Sequence, residues 1–161
     1  MFIKICGLST ENDVQTAITA GADALGFVFA NSPRRISPNH ASALCKNAGD
    51  HIIRVAVMHH PTPQEWGKVQ SIFAPDWLQT DYEDLQSLEL KECMPLPVFR
   101  TGRVSDEKKW PQRMLFEGAD SGAGKKANWE EAAFTAASTQ LILAGGLTTE
   151  NVAMAIQTVR P

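Results

Sequence analysis

Cysteine is scarce and unpaired in this chain. Cys6, Cys45 and Cys93 are odd in number and widely spaced, which argues against a disulfide framework and against the close ligand spacing of a zinc site. Such usage fits a reducing compartment, and the cytoplasm is the expected location. Long apolar runs are also missing. None approaches the roughly 20 residues needed to span a bilayer, and the first ten residues, MFIKICGLST, hold too short a run for a secretory signal. Positive charge shows no clustering: 15 Lys and Arg are scattered among 18 Asp and Glu, for a net charge of -3. Neither nucleic acid nor an anionic membrane is an expected partner, and a small molecule is favoured. Linkers and low-complexity tracts are lacking too. With 43% hydrophobic and 20% charged residues, the 161 residues read as one globular domain, 1–161, with a real core.

What is present is a regular alternation of strand-like and helix-like segments. FIKIC (Phe2 to Cys6) reads as a strand, and Ser9 or Thr10 as the cap of a helix whose apolar stripe is Val14, Ala17 and Ile18. Ala24 to Ala30 is a buried strand, with a helix from Pro38 to Ala48 after a loop rich in turn residues. Further strands are Ile52 to Met58, Trp77 to Thr80, Leu96 to Thr101, Arg113 to Gly118 and Gln140 to Gly145. The matching helices span about Thr62 to Ile72, Tyr82 to Leu90, Ser105 to Trp110, Trp129 to Ala137 and, capped by Thr148, Asn151 to Val159. Seven strands separated by single helices imply a parallel α/β sheet with right-handed crossovers. The regularity favours a (β/α)8 TIM-type barrel over an open doubly wound sheet, with seven βα units visible and the eighth strand and helix missing. An incomplete barrel would expose strand edges, so instability or a homo-oligomer is expected.

In such a barrel the chemistry sits where strands end. Cys6 ends the first strand, Arg34 follows the second, Arg100 ends the fifth and Glu117 the sixth, so all are expected on one rim. A thiol beside Lys4 and Gly7 can serve as base or nucleophile, although a lone cysteine in an apolar run is more often a small core residue. Glu117 follows the buried run MLF, where desolvation favours a protonated carboxyl able to donate near neutrality; a solvated loop acid fits as well. The stretch EGADSGAGKKANW, with Gly122 and Gly124, can offer backbone N–H groups to a phosphate or act as a lid. It is not a Walker A loop, because the spacing slips by one residue and no Ser or Thr follows Lys125 or Lys126. Ala144, Gly145 and Gly146, just ahead of a helix, form a phosphate-binding candidate. His59 and His60 are adjacent with no acid at ligand spacing in the sequence, so they read as rim residues, and no metal is expected. The four tryptophans read as packing residues, and Cys45 and Cys93 as inert.

Together, KICGL (Lys4 to Leu8), GADALGFVF (Gly21 to Phe29), SPR (Ser32 to Arg34) and LAGGLTTENV (Leu143 to Val152) resemble the phosphoribosylanthranilate isomerases of tryptophan biosynthesis, motif by motif in the family's order. The resemblance implies a TIM barrel that converts N-(5-phosphoribosyl)anthranilate to its 1-deoxyribulose 5-phosphate form by an Amadori rearrangement, without metal or cofactor. It implies Cys6 as general base and Arg34 as the partner of the anthranilate carboxylate, with Arg100 assisting. The family's acid is an aspartate closing strand six; the aligned residue here is Glu117, one methylene longer, with Asp120 as the alternative. The family's Gln-Leu-His-Gly after strand four reads Gln79-Thr80-Asp81-Tyr82, which keeps Gln79 and loses the histidine. Phosphate would lie on Ala144 to Gly146 and on a Ser-Ser-Gly loop after an eighth strand, which this sequence does not contain. Two other readings compete: a truncated non-catalytic fragment that binds phosphate or self-associates, and another sugar-phosphate barrel enzyme, against which KICG and SPR argue.

Overall fold

Each strand-like run becomes a strand because its branched and aromatic residues alternate with the surface they must cover, and each helix begins at a residue that can cap it. The computed structural model describes residues 1–102, 110–119 and 124–161. The chain divides into two compact units, Met1–Pro95 and Leu96–Pro161, each with its own apolar core.

The first unit runs β1 (Lys4–Cys6), α1 (Glu11–Thr19), β2 (Ala24–Val28), α2 (Pro38–Cys45), β3 (Ile53–Val57), α3 (Pro63–Phe73), β4 (Trp77–Asp81) and a 3-10 helix (Tyr82–Ser87). β1 pairs with β2, β2 with β3 and β3 with β4, all parallel. Thr10, Ser37 and Thr62 cap the three α-helices by accepting backbone N–H groups, and Thr62 with Glu65 forms a reciprocal capping box. Helix residues Val14, Ala17, Trp66, Val69 and Phe73 pack with strand residues Leu25, Phe27, Ala56 and Leu78. Trp66, 1% exposed, also donates its indole N–H to the Glu89 carbonyl at 2.9 Å. Truncating such a side chain to alanine costs about 3–5 kcal/mol.

The second unit holds β5 (Met94–Arg100) from Leu96 onward, β6 (Arg113–Glu117), α4 (Trp129–Ala136), β7 (Gln140–Leu143) and α5 (Val152–Val159). β5 pairs with β6 and β6 with β7, again parallel. Phe99, Met114 and Phe116 pack with Trp129, Ala132, Ala155 and Val159. The succession is α/β of the TIM-barrel type. No helix among the described residues is long and apolar enough to cross a membrane.

A strand sends successive side chains to opposite faces, and this period divides the labour here. Leu25, Phe27, Ala56, Leu78, Phe99, Met114 and Phe116 belong to the helix-covered cores. Lys4, Cys6, Gly26, Gln79, Asp81, Arg100 and Glu117 occupy the alternate positions, on the opposite face of their strands.

Three expected elements differ from those found. The helix expected over Tyr82 to Leu90 is a 3-10 helix that ends at Ser87, and Asp81, at its start, makes no side-chain cap bond. Asp84 within it is held from outside by Thr80 and His60, so the segment follows its anchors rather than a helical stripe. Thr148 does not cap α5 with its side chain. Its backbone N–H instead donates to Asn151 Oδ1 at 2.9 Å, while Asn151 Nδ2 donates to the Gly146 carbonyl at 2.8 Å. The helix expected over Ser105 to Trp110 lies outside the described residues except for Trp110, which is not helical and meets Phe99 edge-on.

Candidate active site

The end of β1 is built around two glycines. Gly7 takes a positive φ of 85°, and the N–H groups of Gly7 and Leu8 both donate to the Gly26 carbonyl, at 2.9 and 3.2 Å. A Cβ on Gly7 would stand 2.7 Å from Arg34 Cδ and Nη1. The Arg34 side chain therefore lies across the turn that immediately follows Cys6. The SPR segment folds to allow this, because Ser32 Oγ accepts from the Arg34 N–H and the Ser32 carbonyl from the Arg35 N–H. Cys6 is exposed, and its Sγ and Lys4 Nζ each stand 3.1 Å from where a Cβ on Gly26 would be. A thiol, an ammonium and a guanidinium thus converge from β1 and the loop after β2.

Gln79 lies on β4, 8% exposed, and its Oε1 accepts no hydrogen bond among the described residues. A buried amide oxygen without a donor is costly and is suited to a ligand that brings one. Two residues on, Asp81 is 5% exposed and meets both histidines after β3: His59 Nε2 at 3.8 Å and His60 Nε2 at 3.5 Å. The acid missing near the histidines in sequence is supplied by the next strand. Asp84 adds a contact to His60 Nδ1 at 2.9 Å and accepts from Thr80 Oγ1 at 2.6 Å. Burial alone would raise Asp84; the bonds from His60 and Thr80 and the charge of His60 outweigh it and hold the carboxyl below its usual range.

In the second unit Arg100 and Glu117 are partners in register on β5 and β6, with Arg100 Nε 3.3 Å from Glu117 Oε1. Both are buried. The desolvation expected from the run MLF is present, but a guanidinium stands against the carboxylate, and that was not legible in the sequence. The two glycine loops meet. A Cβ on Gly145 would stand 2.8 Å from Gly118 N, and one on Gly146 2.7 Å from the Gly124 carbonyl oxygen. Gly124, Gly145 and Gly146 all have positive φ. This close approach of backbones accounts for the glycine pair without a ligand, and Asn151 fixes the turn from the helix side. Gly122 and Asp120 lie outside the described residues.

The residues expected to be inert or structural are placed accordingly. Cys45 and Cys93 are pushed up, chiefly by burial, to about 11 and about 12. Trp77 stacks on Phe2 with centroids 5.4 Å apart, and Trp129 carries the Lys126 ammonium 3.5 Å above its ring. Sequence reading missed Gly7 and Gly26 as crowded positions, Asn151 as a loop clamp and Asp81 as a partner of the histidines. The last follows from register, which the sequence does not display: Val57 pairs with Gln79 in parallel, and this places residue 59 level with residue 81.

Comparison with known proteins identifies the family of the chain. The family model for N-(5'phosphoribosyl)anthranilate (PRA) isomerase matches residues 3–161. The chain is 32% identical to the N-(5'-phosphoribosyl)anthranilate isomerase of Streptococcus pneumoniae (strain Hungary19A-6), over 99% of this chain and 81% of that protein. Among solved structures it is similar to the phosphoribosyl anthranilate isomerase of Thermus thermophilus, with a TM-score of 0.87, 29% identity and coverage of all of this chain and 84% of that one. It is also similar to a phosphoribosyl anthranilate isomerase solved in complex with reduced 1-(o-carboxyphenylamino)-1-deoxyribulose 5-phosphate, with a TM-score of 0.79, 27% identity and the same coverage. A match from the first strand to the last residue, with Cys6 and Arg34 brought to one turn, leads to one statement: the chain belongs to the N-(5'-phosphoribosyl)anthranilate isomerase family of enzymes.

Proposed function

We propose that the chain isomerises N-(5'-phosphoribosyl)anthranilate to 1-(2-carboxyphenylamino)-1-deoxyribulose 5-phosphate, a step of tryptophan biosynthesis. The observation that carries the reading is Arg34 lying across Gly7 beside Cys6, because it joins an anion reader to a base. A relative bound to a reduced form of that product supports the substrate class.

Glu117, as the acid, gives its proton to the furanose ring oxygen; the C1–O bond breaks and the anilino nitrogen lone pair forms the iminium. The Cys6 thiolate then removes the C2 proton; the electrons of the C2–H bond form the C1=C2 double bond while the π pair of the C1=N bond returns to nitrogen, giving the enol-amine. Tautomerisation to the ketone delivers a proton to C1, so atoms and electrons balance with no external oxidant. Arg34 pairs with the anthranilate carboxylate, where a guanidinium fork suits a planar anion. Arg100 assists Arg34 in holding the anionic substrate. Gln79 Oε1 accepts from a substrate hydroxyl or N–H. Backbone N–H groups of Ala144, Gly145 and Gly146, with Gly124 adjoining, receive the phosphate, and Gly122, which lies outside the described residues, is the further candidate from the sequence.

The test is steady-state fluorescence turnover of Cys6→Ala and Glu117→Gln. Each is expected to lower kcat by at least roughly 10²-fold, the scale of a lost acid or base; the thermal midpoint should change little in Cys6→Ala, an exposed position, and fall in Glu117→Gln, which leaves buried Arg100 without that counter-charge. Wild-type turnover in either variant removes that residue from the mechanism.

A further inference from the structure

We infer that His59, His60 and Asp81 form a binding site for a divalent first-row metal ion, with Zn2+ as its reference ligand. The three residues come from the carboxyl ends of two adjacent strands of the first unit, and one ligand atom from each lies within 4.8 Å of the others. Tetrahedral zinc with bonds of about 2.0–2.1 Å separates its ligand atoms by about 3.3 Å. The two imidazole nitrogens stand 3.8 and 3.5 Å from the same Asp81 oxygen. Each histidine needs only a few tenths of an ångström toward Asp81, and rotation of the two exposed imidazoles closes the separation between their own ligand atoms, which lies within 4.8 Å.

The surroundings are those of a ligand set. His60 Nδ1 contacts Asp84 Oδ1 at 2.9 Å, which fixes the ring and leaves Nε2 directed at Asp81. A carboxylate behind a metal-ligating histidine is the usual way of setting tautomer and orientation. The Thr80 hydroxyl and the His60 backbone N–H in turn hold Asp84. Asp81 is buried at the base of the cluster, while both histidines face solvent, so an ion has a charged floor and an open approach. Two imidazoles and one carboxylate neutralise half of a divalent charge and leave a fourth position for water or an anion. The donor set, nitrogen and oxygen without thiolate, suits Zn2+, Ni2+ or Cu2+ over Ca2+ or Mg2+.

The experiment is calorimetric titration of the full chain, free of any histidine tag, with ZnCl2 alone. A visible Co2+ spectrum serves as an independent readout. One saturable ion per chain is expected, with Zn2+ bleaching the Co2+ bands. His59→Gln, on an exposed side chain, and Asp81→Asn should each weaken Zn2+ by at least about 10-fold, and Asp84→Asn, which acts through His60, by about 10–100-fold. His51→Ala, on an exposed histidine elsewhere, should leave binding unchanged. Absence of saturable binding overturns the assignment, as does unaltered affinity in both His59→Gln and Asp81→Asn; the cluster is then a hydrogen-bonded rim network only.

Discussion

Replacing Gly7 by alanine tests the geometry that joins the two defining motifs. The new methyl would fall 2.7 Å from Arg34 Cδ and Nη1 and 3.1 Å from Cζ, well inside contact distance. Those atoms belong to a flexible, exposed side chain, so the arginine yields rather than the backbone. Two costs follow, and they are separable. Holding alanine at a φ of 85° costs roughly 1–2 kcal/mol. For a chain of this size that lowers the thermal midpoint by about 2–8 °C. Displacing Arg34 loses a charge-assisted pair with the substrate carboxylate worth about 1.5–3 kcal/mol, or roughly 10- to 150-fold in kcat/KM. The assay is steady-state fluorescence turnover at 25 °C, with calorimetry on the same protein. Gly26→Ala is the informative companion, since its methyl meets Cys6 Sγ and Lys4 Nζ at 3.1 Å without a positive φ. It should act on kcat more than on KM. A Gly7→Ala enzyme with the expected loss of stability and unaltered kcat/KM refutes the placing of Arg34 on the substrate.

Three further outcomes are expected. Iodoacetamide at pH 8 should label Cys6 alone in the native protein, since Cys45 and Cys93 are pushed to about 11 and about 12; peptide mass mapping that finds Cys93 labelled first would contradict this burial. Burial alone would raise Asp76, but bonds from the Arg54 N–H, Nε and Nη2 outweigh it and hold the carboxyl below its usual range. With both side chains more than a third exposed, Asp76→Asn should cost only about 0.5–1 kcal/mol at pH 7. Because the folded group is depressed, that contribution is present above about pH 4 and fades as pH falls below it; a difference from wild type that persists at pH 2 in urea titrations rules out the charge as its source. Asn151→Ala removes two bonds from the loop after β7. It should raise the KM of a phosphorylated substrate roughly 2- to 10-fold at about 0.5–1.5 kcal/mol for a bond, and inorganic phosphate inhibition measures the same loss directly.

Local signals made most elements legible. Thr62 with Glu65 announces α3, and the runs in FIKIC and RMLFEG announce strands, because caps and alternation depend on neighbours in sequence. The 3-10 segment after β4 was not legible, since Thr80 and His60 hold Asp84 and only the second of these is remote in the chain. Site residues divide along the same line. Cys6, Arg34 and Glu117 were nameable from motif and position. What each touches was not, because the contact of Arg34 with Gly7 and that of Arg100 with Glu117 depend on strand register and loop closure. Asn151 looked like an ordinary helix residue until the turn it clamps was visible.

The alternation along β4 carries a consequence for how such a protein changes over time. Leu78 and Thr80 answer to the helix layer and to Asp84, while Gln79 and Asp81 answer to whatever approaches the other face. Reactive chemistry can therefore be rewritten in place without renegotiating the core. Libraries confined to positions 59, 60, 79 and 81 should thus yield folded variants at high frequency, a ready field for selecting new ligands.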